Sequence, residues 1–405
     1  MNVINKDYKD WYLKCRFEWR ISEYPTIFHE KLLIITYSNK YLYDYLESLS
    51  ALNYKIQESI NFSDLSEEFS IIVIMTELSQ KTHNEIEKKS KKYNFEVWNI
   101  YAKYEKYKMT KTPLNYIVNE FDTLDYEKYT RNKDRLAEGY IKKTIERQYS
   151  NNHNCLFNKV EIETISRCNN VCEFCPVNKN SDTRPFAMMD EELFKVIIDQ
   201  LADLKYDSCI ALFSNNEPLL DKRLISFAEY ARKKLPDNFI YIYTNGLLLS
   251  RELLTELLKY FDHIYINNYS SEKKLNPPIY DIWLYLQEKS INPEKVTIHM
   301  RDIKEKLSSR AGTAPNRTDH FIIKSSCLLP FNQLSIRANG KVSLCSIDAL
   351  CQRVMGDLTK NSITDIWNSN EYNTIRKSLI NGRSTLFPCR NCDMLFTTIP
   401  YENVR

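Results

Sequence analysis

Three cysteines that lie close together in the sequence are the residues best placed to do chemistry. Cys168, Cys172 and Cys175 have the spacing C-x3-C-x2-C. Three thiolates this close can surround one iron–sulfur cubane and leave its fourth iron without a protein ligand. A structural zinc site needs four ligands instead, usually in two separated pairs. The spacing therefore favours an iron–sulfur cluster with an open iron, to which a small molecule can bind.

A second set of cysteines lies in the last quarter of the chain. Cys327 precedes Cys345, and Cys389 and Cys392 form a C-x2-C pair. On spacing alone, zinc and a [4Fe–4S] cluster fit these four thiolates equally well. Cys351 is left over, either as a free thiol or as an alternative ligand. The other cysteines are isolated, and we expect them to be small buried hydrophobic residues: Cys15, Cys155 and Cys209.

Composition and charge narrow the classes of protein. Lys and Arg total 56 against 53 Asp and Glu, so bulk charge gives no case for nucleic-acid binding. With only 6 glycines, the first of them Gly139, a glycine-rich phosphate loop is excluded. No apolar run approaches the roughly 18 residues that span a membrane, and the N-terminus has no secretory signal. We therefore predict a cytoplasmic protein with reduced cysteines that binds neither nucleic acid nor membrane.

The elements that must position the first cysteine set alternate between strand and helix. Strand followed by helix, repeated about six times over residues 158–325, predicts a partial parallel (β/α)6 barrel, whose chemistry sits at the C-terminal ends of the strands. The candidate strands are Val160–Ile165, Ser208–Phe213, Phe239–Thr244, His263–Ile266, Val296–Met300 and Phe321–Ile323. The candidate helices are Asp190–Leu204, Lys222–Lys234, Arg251–Tyr260 and Ile279–Lys289.

The rest of the chain divides into three parts. Residues 1–110 predict a small Rossmann-like α/β domain with a parallel sheet but no glycine fingerprint, so its role is left unassigned. Its expected strands are Lys31–Thr36, Phe69–Met75 and Phe95–Tyr101, with helices at Tyr41–Leu52 and Ser79–Tyr93. Residues 111–157 are predicted to be a helical connector. Residues 326–405 begin with a hairpin, where Asn339-Gly340 predicts a type I′ turn.

The cysteine loop after the first barrel strand resembles the signature of the radical S-adenosylmethionine (SAM) enzymes, in which an aromatic residue, here Phe174, precedes the last cysteine. The resemblance implies that Cys168, Cys172 and Cys175 hold a [4Fe–4S] cluster. The open iron of this cluster would chelate the amino and carboxylate groups of SAM. Cleavage of SAM then gives a 5′-deoxyadenosyl radical that abstracts hydrogen from a substrate.

The resemblance extends to residues after the later strands. The family's Gly-Gly-Glu-Pro, which receives the SAM amino group, is Asn215-Asn216-Glu217-Pro218 here. Asparagine tolerates left-handed backbone, so we expect the two asparagines to preserve the turn. Three further matches imply SAM contacts: the Thr244-Asn245 pair of a Thr-Asn-Gly motif near the ribose, Asn267 after the fourth strand, and Arg301 as a partner of the carboxylate.

The C-terminal region is similar to the twitch form of the SPASM domain, which holds an auxiliary cluster in radical SAM enzymes. The resemblance implies that Cys327, Cys345, Cys389 and Cys392 bind one auxiliary [4Fe–4S] cluster. The cysteine spacing is most similar to the branch that oxidises a cyclitol alcohol to a ketone. In that branch an arginine shortly before the first auxiliary cysteine contacts the substrate hydroxyl, and Arg310 has the corresponding position.

Three functions remain open from the sequence. The first is a radical SAM dehydrogenase that oxidises a small hydroxylated substrate (a sugar, cyclitol or nucleotide sugar), with the auxiliary cluster as electron acceptor and a flavodoxin or ferredoxin as electron donor. The second is a radical SAM maturase that modifies a ribosomally made peptide. The third is a non-catalytic zinc-binding protein, against which the barrel pattern and the near-neutral charge argue.

Overall fold

The computed structural model describes most of the second half of the chain and parts of the first. The described residues are 17, 30–36, 46, 52–59, 62, 65, 68–76, 78–99, 117–119 and 156–394, apart from 273, 293, 294, 318–322 and 324. The chain forms two compact units, one of residues 1–112, 127–144 and 403–405, the other of residues 113–126 and 145–402. Among the described helices, none combines the length and apolar character that crossing a bilayer requires.

The first unit contains a four-stranded parallel sheet. Its strands are β1 (Lys31–Ile35), β2 (Asn53–Gln57), β3 (Ile71–Ile74) and β4 (Glu96–Asn99), in the order β2-β1-β3-β4. Helix α1 (Gln80–Tyr93) precedes β4 and is capped by Ser79, whose side chain accepts from the amide of Thr82. The parallel sheet is as expected, whereas a Rossmann-like fold stays a prediction.

One strand of the first unit was not predicted, and one predicted helix is described at only a few of its residues. Strand β2 was missed because Asn-Tyr-Lys-Ile-Gln has little apolar character, and as an edge strand it has no fully buried residue. The helix predicted over Tyr41–Leu52 falls almost wholly outside the described residues.

The described part of the second unit contains five parallel strands with four helices between them, whereas about six strand–helix repeats were predicted. The parallel strands are β6 (Lys159–Ile162), β7 (Cys209–Ala211), β8 (Ile240–Thr244), β9 (His263–Tyr269) and β10 (Val296–Arg301). The helices between them are α2 (Glu191–Asp203), α3 (Leu224–Lys234), α4 (Arg251–Tyr260) and α5 (Pro277–Glu288). The expected sixth strand, Phe321–Ile323, lies largely outside the described residues.

The two edges of this barrel sheet differ from the prediction. At one edge β10 pairs in parallel with β5 (Ile117–Asn119), which comes from the segment predicted to be a helical connector. That helix prediction is wrong for these residues, because pairing with a distant strand outweighs the local helical character. At the other edge β6 pairs in parallel with β11 (Gln333–Ile336), a strand of the C-terminal domain.

The C-terminal domain continues the same sheet. Strands β12 (Lys341–Ser343) and β13 (Val354–Asp357) follow β11 in antiparallel order, and the nine-stranded sheet runs β13-β12-β11-β6-β7-β8-β9-β10-β5. Three helices complete the domain: α6 (Leu329–Asn332), α7 (Ile363–Trp367) and α8 (Asn370–Ile380). The hairpin that precedes Cys345 is therefore joined to the first barrel strand through a shared sheet.

The turn between β11 and β12 is a three-residue loop, so the predicted type I′ turn is wrong. Only Gly340 has a positive φ (79°), and Asn339 does not. The amide of Gly340 donates to the carbonyl of Arg337, and the amide of Arg337 donates to the carbonyl of Lys341 (2.9 and 2.8 Å). This is the pattern of a type I turn followed by a left-handed glycine, the second common way to close a hairpin.

The interior of the barrel is aromatic. Because side chains alternate along a strand, every second residue of β7 and β8 faces one side, and Cys209, Ala211 and Tyr241 form a buried cluster there. Tyr243 and Tyr265 pack against this cluster, with their rings stacked 4.4 Å apart. These large rings fill the interior below the strand ends and leave the polar residues at the C-terminal ends of the strands.

Candidate active site

The first cysteine loop leaves the barrel after β6 and is held by a buried asparagine. Asn178 Nδ2 donates to the carbonyls of Cys172 (3.0 Å) and Cys175 (2.8 Å), and its Oδ1 accepts from the amides of Asn180 and Ser181. One amide thus fixes the turn that brings two of the cysteines together. Sequence reasoning missed Asn178, although an asparagine three residues after the last cysteine is a turn signal.

The thiols of this loop are poorly solvated. Burial raises the pKa of Cys168 to about 12, and it raises the pKa of Cys172 as well. Such thiols ionise at neutral pH only when a bound metal stabilises the thiolate. This environment suits metal ligands better than reactive free thiols.

Glu217 joins the loops that follow β7 and β8. Its Oε1 accepts from Thr244 Oγ1 (2.6 Å) and its Oε2 from the amide of Asn245 (2.7 Å). Asn245 Nδ2 in turn donates to Asn169 Oδ1, in the cysteine loop, at 2.7 Å. Burial raises the pKa of Glu217 to about 7. The structure thus brings Glu217, Thr244 and Asn245 together beside the cysteines, and their contact with SAM stays a prediction.

Asn215 and Asn216 do not preserve a glycine turn in the expected way. Neither belongs to the described residues with positive φ, so the expectation of left-handed backbone is wrong. Both use their side chains instead. Asn216 Oδ1 accepts from the amide of Ser214 at 2.9 Å, and Asn215 Nδ2 donates to the carbonyl of Ser346 at 2.8 Å. The side-chain amide groups, which glycine lacks, make these hydrogen bonds and explain why asparagine occupies the two positions.

Two of the predicted SAM contacts carry a buried polar atom without a hydrogen-bond partner. These atoms are the donor Nδ2 of Asn216 and the acceptor Oδ1 of Asn267. A buried polar group left unpaired costs about 1–3 kcal/mol, and a bound ligand would remove this cost by supplying the missing partner. A donor and an acceptor in neighbouring parts of the barrel mouth fit a ligand that, like SAM, carries both kinds of group.

Arg301 and Phe174 have partners within the protein. Arg301 Nε donates to Glu305 Oε1 at 2.7 Å, in a half-buried ion pair. Phe174 is buried, and its ring lies 5.7 Å from that of Tyr269 at the end of β9. Phe174 therefore anchors the cysteine loop to the barrel, while a contact of either residue with SAM stays a prediction.

The second cysteine set lines one cavity. Cys327, Cys345, Cys389 and Cys392 are all buried and face this cavity. Burial and the three other thiols raise the pKa of Cys345 well above its usual value. Cys351 is not part of the lining and contacts Arg337 instead. The structure thus groups the four predicted ligands and separates the leftover cysteine from them.

A buried arginine shares this cavity with the thiols. Arg383 is 1% exposed and donates to the carbonyls of Ser325, Ser326 and Met394 at 2.7–3.0 Å. Burial raises the pKa of Cys389 and Cys392, and the positive charge of Arg383 partly opposes this rise. A fixed cation next to four cysteines favours a negatively charged occupant, such as a thiolate-bound iron–sulfur cluster.

Arg310 lies in a left-handed turn beside the same cavity. Arg310 and Ala311 have φ of 49° and 56°, and Ala311 lines the cavity. A non-glycine residue in this region is strained, so the surrounding contacts must hold it there. The guanidinium contacts the loop after β7, where Nη1 donates to Asn215 Oδ1 at 3.4 Å. One turn therefore connects the second cysteine set to the loop after β7.

Sequence reasoning missed a second arginine between the two cysteine sets. Arg337 donates to Ser214 Oγ (3.1 Å), next to Asn215, and to the carbonyls of Cys345 (3.3 Å) and Asp348 (2.7 Å). It also pairs with the buried carboxylate of Glu163 at 3.6 Å. Nothing in the local sequence marks Arg337, because its partners come from three separate segments.

The residues fit the cofactors that the sequence implies. Among the described residues, no three His, Cys, Asp or Glu side chains lie close enough together to ligate a single metal ion. The fit rests on the four thiols that share a cavity, the adjacent buried cation, and the unpaired polar atoms at the barrel mouth.

The chain is similar to known proteins over the same regions. Residues 162–283 match the radical SAM superfamily, and residues 327–393 match SPASM, an iron–sulfur cluster-binding domain. The S-adenosyl-L-methionine-dependent 2-deoxy-scyllo-inosamine dehydrogenase of Niallia circulans is 30% identical over 240 residues, which are 59% of this chain and 93% of that protein.

The solved structures of BtrN are similar as well. The complex with AdoMet and 2-DOIA has a TM-score of 0.53 and 26% identity, over 60% of this chain and 95% of that one. A BtrN structure in an open conformation has a TM-score of 0.46 and 26% identity, over 62% and 98% of the two chains. The first cysteine loop, strands β7 to β9 and the four C-terminal cysteines lie within the matched residues, and the chain therefore belongs to the radical SAM superfamily, in the branch that carries a C-terminal SPASM domain.

Proposed function

We propose that this radical SAM enzyme oxidises a secondary alcohol of a small polyhydroxylated molecule to a ketone. A cyclitol or amino-cyclitol is the first substrate class to consider, because the relative from Niallia circulans is named for 2-deoxy-scyllo-inosamine. The observation that carries the proposal is the position of Arg310. Its turn borders the cavity of the second cysteine set, while its guanidinium extends toward the loop after β7.

The cofactors of this family are SAM, a [4Fe–4S] cluster and an auxiliary iron–sulfur cluster. We assign the first cluster to Cys168, Cys172 and Cys175, and the auxiliary cluster to the four cysteines that line the C-terminal cavity. When bound, these cofactors supply a 5′-deoxyadenosyl radical, which takes a hydrogen atom, and an oxidised cluster, which takes an electron.

The proposed reaction balances without a further oxidant. The carbinol carbon of the substrate loses one hydrogen atom, its hydroxyl loses one proton to solvent, and one electron leaves, which together convert CH–OH into C=O. SAM gives 5′-deoxyadenosine and methionine after one electron arrives from a flavodoxin- or ferredoxin-type donor, which we propose as the partner protein.

Arg310 stabilises the alkoxide that forms as the hydroxyl loses its proton. In a site with little water, a positive charge near the developing negative oxygen contributes several kcal/mol. Among the described residues, the one side-chain acceptor that the Arg310 guanidinium contacts is Asn215 Oδ1. An arginine has five N–H donors, so most remain for the substrate.

The proposal is tested by following hydrogen transfer under anaerobic conditions. Reconstituted enzyme is incubated with SAM, a reductant and 2-deoxy-scyllo-inosamine, and then with other cyclitols and sugars deuterated at single carbons. We expect a ketone, with deuterium in 5′-deoxyadenosine only when the oxidised carbon carries the label. Substrate labelled at a neighbouring carbon is the control. Modification of a peptide, with no turnover of any polyol, would contradict the proposal and favour the maturase alternative.

A further inference from the structure

Asn215 makes side-chain contacts with two segments that are far from it in the sequence. Its Nδ2 donates to the carbonyl of Ser346, which follows Cys345, and its Oδ1 accepts from Arg310. The residue is only 4% exposed. We infer that Asn215 is a positioning residue for Arg310: its amide holds the guanidinium between the mouth of the barrel and the cavity of the second cysteine set. This inference rests on the proposed role of Arg310.

The orientation of the Asn215 amide follows from its partners. The nitrogen must face Ser346, because a carbonyl oxygen only accepts, and this leaves the oxygen facing the guanidinium, which only donates. The backbone is fixed from both sides as well. The backbone carbonyl of Asn215 accepts from Arg184 Nη2 at 2.8 Å, and its backbone N–H donates to Glu163 Oε2 at 3.2 Å. The acceptor presented to Arg310 is therefore held at both the backbone and the side chain.

The departure from the family sequence supports the same role. The family's glycine at this position has no side chain, and the backbone of Asn215 does not need glycine, because its φ is not positive. What asparagine adds is the amide that contacts Ser346 and Arg310. The backbone of Arg310 is in a strained left-handed conformation. An acceptor that fixes its guanidinium also limits the rotamers open to this long side chain.

A double-mutant cycle tests the inference. The variants are Asn215→Gly, which restores the family residue, Arg310→Ala, and the combination of both. We expect Asn215→Gly to lower kcat/KM for alcohol oxidation about tenfold and to raise the ratio of 5′-deoxyadenosine to ketone. In the Arg310→Ala background the same change should cost less than about threefold, because a residue that acts through Arg310 has nothing left to position. If the losses of kcat/KM in the two single variants simply multiplied in the double variant, the two residues would act independently, and this would overturn the inference.

A matched control separates positioning from general stability. Asn238 is also buried, and its amide also bridges carbonyls, those of Tyr206 and Ser208, at the other end of the strands. We expect Asn238→Ala to lower the unfolding midpoint without changing the ratio of 5′-deoxyadenosine to ketone. An equal rise of that ratio in both variants would mean that any buried asparagine has this effect, and would overturn the inference.

A structural measurement keeps the two proposals distinguishable. If the wild-type enzyme oxidises no alcohol, the proposed function fails, yet the position of the Arg310 guanidinium can still be compared in crystal structures of wild-type and Asn215→Gly holoenzyme. We expect the guanidinium to leave its wild-type position in the variant. A guanidinium that stays in place would overturn the inference whatever the substrate proves to be.

Discussion

Ser309 and Asp393 hold each other by reciprocal hydrogen bonds. The amide of Ser309 donates to Asp393 Oδ1 at 2.6 Å, and the amide of Asp393 donates to Ser309 Oγ at 3.1 Å. Asp393 follows Cys392 directly, and Ser309 precedes Arg310. The segment that contains Cys389 and Cys392 therefore fixes the backbone next to Arg310, the arginine proposed to contact the substrate. Gly312 permits the close approach of these two segments, since a Cβ at this position would lie only 3.0 Å from the Cβ of Asn391.

We predict that Asp393→Ala weakens both stability and alcohol oxidation. The change removes the acceptor of Ser309 and the carboxylate that pairs with Arg317 at 2.6 Å, and both members of this ion pair are buried. Loss of one partner of a buried pair costs about 3–5 kcal/mol, which denaturant unfolding would measure. Asp281→Ala, which breaks an exposed pair with Arg251, should cost much less, because water screens the interaction of exposed charges. Equal effects of the two changes would show that Asp393 has no special role.

The first cysteine set is predicted to be necessary for SAM cleavage. Replacement of Cys168, Cys172 and Cys175 by alanine should remove one [4Fe–4S] cluster and all formation of 5′-deoxyadenosine, because no thiolates remain to hold the cluster whose open iron binds SAM. Iron content after anaerobic reconstitution and product analysis would measure both. Cys209→Ala, at an isolated buried cysteine, should keep the full iron content. Zinc without iron in anaerobically purified wild-type protein would contradict the assignment.

The second cysteine set is predicted to have a separate role. Replacement of Cys389 and Cys392 by alanine should remove the auxiliary cluster and stop ketone formation, while SAM cleavage stays measurable because SAM binds at the first set. The measurement is the amount of 5′-deoxyadenosine and of ketone formed per enzyme, together with circular dichroism as a check on folding. Normal ketone formation by a folded variant would show that the auxiliary cluster is not the electron acceptor.

The sequence predicts this site well where the chemistry is local. The cysteine spacing and the alternation of strands and helices depend on neighbouring residues, and the cysteine cavity and five of the predicted barrel strands agree with them. Contacts between distant segments were not predictable. Strand β5 pairs with β10, which is distant in the sequence, and the side chain of Asn215 contacts Ser346, which is 131 residues away. Arg337 was missed for the same reason, since its partners meet only in the folded chain.

The carboxyl group of Glu217 should make stability depend on pH. Its pKa is raised to about 7 by burial, above the usual 4.5, so its contribution to stability is complete below about pH 4.5 and is lost as the pH rises through about 7. Between about pH 5 and pH 8 we expect wild-type protein to lose on the order of 2–3 kcal/mol more than Glu217→Gln, which does not titrate. Unfolding curves at the two pH values would measure this, and parallel losses in both proteins would contradict it.

Arg310 gives the most direct test of the proposed chemistry. Loss of a hydrogen atom leaves a radical on a carbon whose hydroxyl is still protonated, and deprotonation makes that radical a much stronger reductant. A guanidinium near the oxygen favours this deprotonation by stabilising the negative charge. A guanidinium carries only N–H donors and keeps its positive charge, so the side chain supplies charge and orientation and is a poor base.

Two substitutions at Arg310 separate charge from geometry. Arg310→Lys keeps the positive charge and loses the planar group with its paired donors, whereas Arg310→Ala loses both. We expect alanine to lower kcat for ketone formation about 100-fold or more and lysine to retain part of the activity, with both variants keeping two clusters and forming 5′-deoxyadenosine. Wild-type turnover by Arg310→Ala would show that this arginine is structural. Equal losses in both variants would show that the geometry of the guanidinium, rather than its charge, limits the reaction.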